Sequence, residues 1–147
     1  MSDPHVIETI NSLKKQMQQA LAAEIRKVLP IGLNPPHAFL LHFIVLSEGT
    51  SSQEIQSALS LSKSTVSETL SVLSEAGYIE YVKSEEDARN KIIRITDRGL
   101  DLDYRVGEVV HRFEKNLQMG ISEEDMETFL SVIERIRWNI EEANYGS

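Results

Sequence analysis

Apolar residues recur every three or four positions over most of this chain, the spacing of helices with one buried face. Ile7, Ile10, Leu13, Met17, Leu21, Ile25 and Val28 predict an amphipathic helix from Val6 to about Leu29-Pro30. Pro30 to Pro36 reads as a loop, because its prolines disfavour helix. Ala38, Phe39, Leu40, Leu41, Phe43, Ile44, Val45 and Leu46 are apolar on most sides and predict a central buried helix. Ser51-Ser52-Gln53-Glu54 has the pattern of a reciprocal capping box, opening a short helix with Ile55, Ala58 and Leu59 on one stripe. Ser60-Leu61 makes a turn, with Leu61 expected to plug it from beneath. Ser62 caps a second helix, Lys63 to Ala76, whose Val66, Leu70 and Leu73 face the core. Gly77 supplies the left-handed stop.

The period then changes. Tyr78 to Lys83 and Lys91 to Thr96 are rich in aromatic and β-branched residues, a strand signal, and the polar run Ser84 to Asn90 joins them. Thr96 caps a long helix carrying Leu100, Leu102, Val106, Val109, Val110, Phe113 and Leu117, broken at Met119-Gly120. Ser122 caps a last helix with Met126, Phe129, Leu130, Ile133, Ile136, Trp138 and Ile140 at helical spacing. Met1 to His5 and Asn144 to Ser147 are expected to fray.

The expected fold is mainly α with a small antiparallel β-hairpin, in a single domain over 1–147. A winged helix-turn-helix spans 37–96, its wing 78–96, flanked by dimerisation helices at 6–30 and 97–143. Two amphipathic arms bury their stripes most simply against the same arms of a second copy. The competing reading folds the N-terminal helix back on its own core.

The central stretch resembles the MarR family of transcriptional regulators. The resemblance rests on Ser62-Lys63-Ser64-Thr65-Val66-Ser67 opening the second helix and on Leu73 through Gly77-Tyr78-Ile79 leaving it. It rests further on Asp87-Ala88-Arg89-Asn90-Lys91 at the wing tip and Ile93-Arg94-Ile95-Thr96-Asp97-Arg98-Gly99 after it. It implies a homodimer with interleaved terminal helices and two wings at the far corners. It also implies a small aromatic or anionic effector between the winged helix and the arms, which changes the spacing of the two recognition helices. Two departures stand out: Tyr81 sits where many relatives have a basic residue, and the wing tip carries Glu85 and Glu86.

Composition narrows the classes. No apolar run reaches membrane-spanning length and no signal peptide is visible, so the cytoplasm is expected by default. The chain has 0 cysteines, which excludes disulfides and thiolate metal sites. The formal net charge is −8, unusual for a nucleic-acid binder. The acidic excess is concentrated after Gly99, and the helix-turn-helix with its wing is only slightly acidic. DNA binding therefore requires Lys63, Lys83, Arg89, Lys91 and Arg94 to gather on one face.

The candidate chemistry is recognition of double-stranded DNA. Ser62, Lys63, Ser64 and Thr65 lie at a helix N-terminus, where amides and partial positive charge suit a phosphate. Ser67, Glu68 and Thr69, one turn on, are candidates for base edges in the major groove. Hydroxyls are permissive readers and Glu68 can only accept, for instance from cytosine, so modest base specificity is expected. Arg89 suits a narrow minor groove, braced by Asp87, with Lys83 and Lys91 beside it. A two-fold dimer would bind a pseudo-palindrome with half-sites about one helical turn apart, with affinity falling steeply as salt rises.

Three other readings compete. A zinc-responsive regulator would need Glu24, His42 and His111, with His37 nearby, to converge, although their spacing matches no metal motif. A winged helix used only for protein contacts fits the acidic balance. An enzyme finds no support: there is no glycine-rich phosphate loop, nucleophile elbow or paired-histidine helix motif.

Overall fold

The computed structural model describes residues 5–84, 86 and 91–145. In chain order the elements are α1 (Val6–Arg26), α2 (Pro35–Ser47), α3 (Ser52–Leu59), α4 (Lys63–Glu75), β1 (Ile79–Lys83), β2 (Lys91–Ile95), α5 (Asp97–Leu117) and α6 (Glu123–Tyr145). They form two compact units, one running through His111 and the other from Arg112 onward, so the division falls inside α5.

The first unit holds the core. Ile25 of α1, Leu41 and Ile44 of α2, Ile55 of α3, and Val66, Leu70 and Leu73 of α4 are buried together with Tyr78, Ile79, Ile93, Leu102, Val106 and Val109. The antiparallel hairpin pairs Ile79 with Ile95, Tyr81 with Ile93 and Lys83 with Lys91. An isolated bridge between Thr50 and Ile93, closed at 3.1 and 2.7 Å, ties the wing to the residue before the cap of α3.

The first arm folds back on its own core over its C-terminal half only. Ile25 is buried, and Leu21 and Val28 pack on the core, whereas Val6, Ile7, Ile10 and Leu13 are exposed. In the second unit, Phe129, Leu130, Val132, Trp138 and Ile140 of α6 are likewise exposed. Leu100 and Val110 of α5, expected on its stripe, are exposed too. The final helix runs on to Tyr145 rather than fraying at Asn144.

Several local expectations are corrected. Pro35 and Pro36 do not prolong the loop; they open α2 at its first two positions, where a proline lacks no bond that a helix would make. The Asn34 amide donates to His37 Nδ1 at 2.9 Å and closes that end. Although α2 is the central helix, Phe39 and Leu46 stand 51% and 70% exposed, because they lie off the face that meets the core. The box at Ser51 is only half formed. Ser51 Oγ accepts from the Glu54 amide at 3.2 Å, but the Glu54 carboxylate takes the Thr50 hydroxyl at 2.9 Å instead of the Ser51 amide. Ala58 is exposed. Leu61 is no plug: the turn closes through Ser60 in the left-handed region (φ 52°) and a Leu61 amide bond to the Gln56 carbonyl, leaving the Leu61 side chain exposed.

Gly77 does stop α4 (φ +81°), with the Tyr78 amide returning to the Leu73 carbonyl at 2.9 Å. Thr96 then locks three elements at one point. Its hydroxyl donates to the Gly77 carbonyl at 2.7 Å and accepts from the Gly99 amide at 3.1 Å, and its amide donates to the Tyr78 carbonyl at 3.1 Å. Thr96→Val keeps the shape and removes both hydroxyl bonds, so a loss of about 2 kcal/mol is expected. A thermal melt should show the midpoint lowered by roughly 6 °C.

Candidate nucleic-acid interface

Helix α4 is fixed by burial of one face and bare on the other. Val66, Leu70 and Leu73 are buried at i, i+4 and i+7. Every exposed side chain on the helix is polar: Lys63, Ser64, Thr65, Ser67, Glu68, Ser71 and Glu75. At 3.6 residues per turn, Ser64, Glu68, Ser71 and Glu75 fall within about 50° of the direction opposite the core.

The hydroxyls at its N-terminus are knitted together. Ser62 Oγ accepts from the Thr65 amide at 3.1 Å and donates to Thr65 Oγ1 at 2.8 Å, with Ser64 Oγ 3.2 Å away. The first turn is thereby held with its leading amides outward, an arrangement that suits a phosphate. Lys63 is exposed there as expected. Ser67 is exposed, on the flank of the helix. Thr69 departs from expectation as a base reader: it is half-buried on the core side, and its hydroxyl donates to the Thr65 carbonyl at 2.8 Å.

On the wing, Lys83 and Lys91 stand directly opposite each other across the hairpin, both exposed. Like charges so placed repel, and an anion shared between them relieves that repulsion. The Lys91 ammonium lies 5.8 Å from the centre of the Tyr81 ring, so the tyrosine supports that cation. Burial pushes the Tyr81 hydroxyl above its ordinary pKa, which keeps it a neutral phenol. Arg94 lies across from Glu80 on the hairpin. Asp87 and Arg89 lie outside the described residues.

A cleft of about 700 Å³ opens between the start of α3 and the wing, lined among others by Glu48, Thr50, Glu54, Tyr81, Lys91 and Arg94. Its position differs from the expected effector site at the junction with the arms.

The metal candidates do not converge. Glu24 pairs with Lys27 at 2.8 Å and His42 Nδ1 meets Asp103 Oδ1 at 3.0 Å, while His37 Nδ1 accepts the Asn34 amide. Each side chain is drawn to a partner near it, and His111 joins no cluster; among the described residues no three His, Cys, Asp or Glu side chains are grouped to hold an ion. The zinc-responsive reading loses its ligand set. Among the described residues no helix is long and apolar enough to cross a membrane.

Sequence reasoning gave too little weight to Glu68 and Ser71, which sit on the stripe farthest from the core. The signal was present in the spacing: once Val66, Leu70 and Leu73 point inward, positions 64, 68, 71 and 75 must point outward.

Comparison with known proteins bears on this geometry. The sequence model of the MarR family matches residues 31–90. A mutant MarR from E. coli superposes with a TM-score of 0.77 at 14% identity, over 92% of this chain and 98% of that one. A MarR mutant from E. coli complexed with operator DNA gives 0.70 at 16% identity, over 92% and 99%. The PcaV transcriptional regulator from Streptomyces coelicolor, in complex with its natural ligand, gives 0.66 at 22% identity, over 93% and 97%.

Proposed function

We propose, from the premise that residues 31–90 of this chain belong to the MarR family and that its fold is a MarR fold, that the protein is a sequence-specific regulator of transcription. The MarR family comprises transcription regulators and not enzymes. In this reading the protein binds double-stranded DNA as a homodimer on a pseudo-palindromic operator, represses from it, and is released by a small aromatic or anionic effector.

The observation that carries the reading is the outward face of α4, which bears hydroxyls and carboxylates and no apolar side chain. A surface built for protein contacts has apolar and aromatic anchors at its centre. The hydroxyl-capped N-terminus of α4 and the Lys83–Lys91 pair supply sites for phosphate. The exposed stripes of α1 and α6 supply the dimer contact. The MarR structure with operator DNA and the PcaV structure with its natural ligand support the DNA and effector parts of the proposal.

A gel-shift on DNA from around the protein's own gene tests the function directly. A retarded band at low salt that weakens steeply as salt rises is expected; absence of binding at low salt overturns the proposal. Arg89→Ala tests the wing: affinity should fall by roughly 10- to 100-fold. Intact binding by that variant at moderate salt removes the wing from the interface.

A further inference from the structure

We infer that Glu68 is the residue that sets base preference, and that it selects a C·G pair with the cytosine facing α4; this rests on the DNA-binding reading above. Most hydroxyls at the N-terminal end of α4 have already spent their hydrogen-bonding capacity. The Ser62, Ser64 and Thr65 hydroxyls bond one another and the first-turn amide, and Thr69 is bonded back to its own helix. Those groups hold the helix end, where backbone phosphate would lie; Ser67 and Ser71 are exposed and make no side-chain bond among the described residues, but a lone hydroxyl both donates and accepts and so discriminates little between bases. Glu68 lies one turn further along, close to the axis pointing away from Val66, Leu70 and Leu73. Its carboxylate makes no hydrogen bond and no ion pair among the described residues, and its side chain is exposed.

A carboxylate offers acceptors and no donor at neutral pH. In the major groove thymine presents an acceptor and guanine presents two. Adenine has a donor, but its N7 acceptor sits beside it and faces the second carboxylate oxygen. Cytosine alone presents its N4 amino group without a neighbouring acceptor of its own. A carboxylate carried into the groove of a polyanion is repelled unless it finds such a donor. Glu68 therefore acts largely by rejection: sequences without the amino group lose the contact and keep the repulsion. The hydroxyls alone would give little discrimination, so Glu68 supplies the sequence dependence that the serines lack.

Glu68→Gln is isosteric, sits on an exposed face and should leave folding unchanged. Glutamine carries both a donor and an acceptor and pairs with adenine N6 and N7. Selection of bound fragments from a random duplex pool, run on the full-length parent and on Glu68→Gln, is the test. One position in each half-site should be cytosine for the parent, favoured about tenfold over other bases, and adenine for the variant. Glu68→Ala should lose the preference at that position while binding arbitrary DNA at least as tightly as the parent. If parent and variants select the same base everywhere, the assignment of Glu68 is wrong while DNA binding stands. If the parent retains no fragment at low salt, the DNA-binding reading fails and this inference goes with it.

Discussion

A chain carrying Ile10→Glu and Phe129→Glu together is expected to sediment as a monomer and to bind operator DNA at least a hundredfold more weakly than the parent. Ile10 is 40% exposed on α1 and Phe129 is 49% exposed on α6, and each belongs to a longer apolar stripe. Scattered exposed apolar residues are ordinary, but two helical stripes of them are what the proposed dimer would bury. Across a two-fold axis each substitution occurs twice, so four carboxylates would have to leave water to form the dimer. Burying an unpaired charge costs several kcal/mol, enough to dissociate an interface of ordinary size. DNA affinity falls for a separate reason. Two linked recognition units engage the second half-site at an effective concentration near millimolar, and that linkage is worth roughly 10²- to 10⁴-fold. Analytical ultracentrifugation and a titration of operator DNA read the two effects independently. A variant that stays dimeric and binds normally would remove these stripes from the interface. A variant that unfolds instead would show that they serve the single chain.

The same division explains what the sequence disclosed. Helical and strand periods located every element, because local spacing reflects a face that must be buried. Caps at Ser51, Ser62, Thr96 and Ser122 were legible for the same local reason, a hydroxyl three residues before an amide in need of a partner. Leu61 was misread because its exposure depends on the left-handed Ser60, a conformation that sequence rarely announces outside glycine. Glu54 was assigned its local partner, but Thr50, held by the bridge to the wing, presents its hydroxyl first. Pro35 and Pro36 were read by their usual effect inside helices, whereas their position at the start of α2 makes them compatible with it. The histidines looked collectable only while their partners were unknown; His42 and Asp103 lie 61 residues apart in sequence and meet across α2 and α5. By spacing alone Ser67, Glu68 and Thr69 are equal candidates for base edges. Only the hydrogen bonds among Ser62, Ser64, Thr65 and Thr69 reveal that those hydroxyls are engaged, which leaves Ser67, Ser71 and Glu68, with Glu68 the one group there that can only accept.

Gly99→Ala, a change of one methyl group, should lower the melting midpoint by about 10 °C and reduce DNA binding in step with the loss of folded protein. Gly99 is buried in the first turn of α5, and a Cβ there would run into the Tyr78 carbonyl oxygen and the Ile95 side chain. Ile95 can turn away, but the carbonyl cannot. It accepts the Thr96 amide at 3.1 Å, and Thr96 in turn is bonded to Gly77 and to the Gly99 amide itself. Relief therefore requires α5 to shift away from the start of the wing, breaking the junction that joins α4, the hairpin and α5. Overpacking of this kind costs about 3 kcal/mol when backbone has to move. The requirement for glycine here is space rather than left-handed geometry, which separates Gly99 from Gly77. Gly107→Ala, on the same helix, is the control: a Cβ there meets nothing within 4 Å, and the better helix propensity of alanine should stabilise by up to about 1 kcal/mol. Equal melting points for the two variants would mean that α5 does not press on Tyr78, and the angle between wing and recognition helix would then need another support.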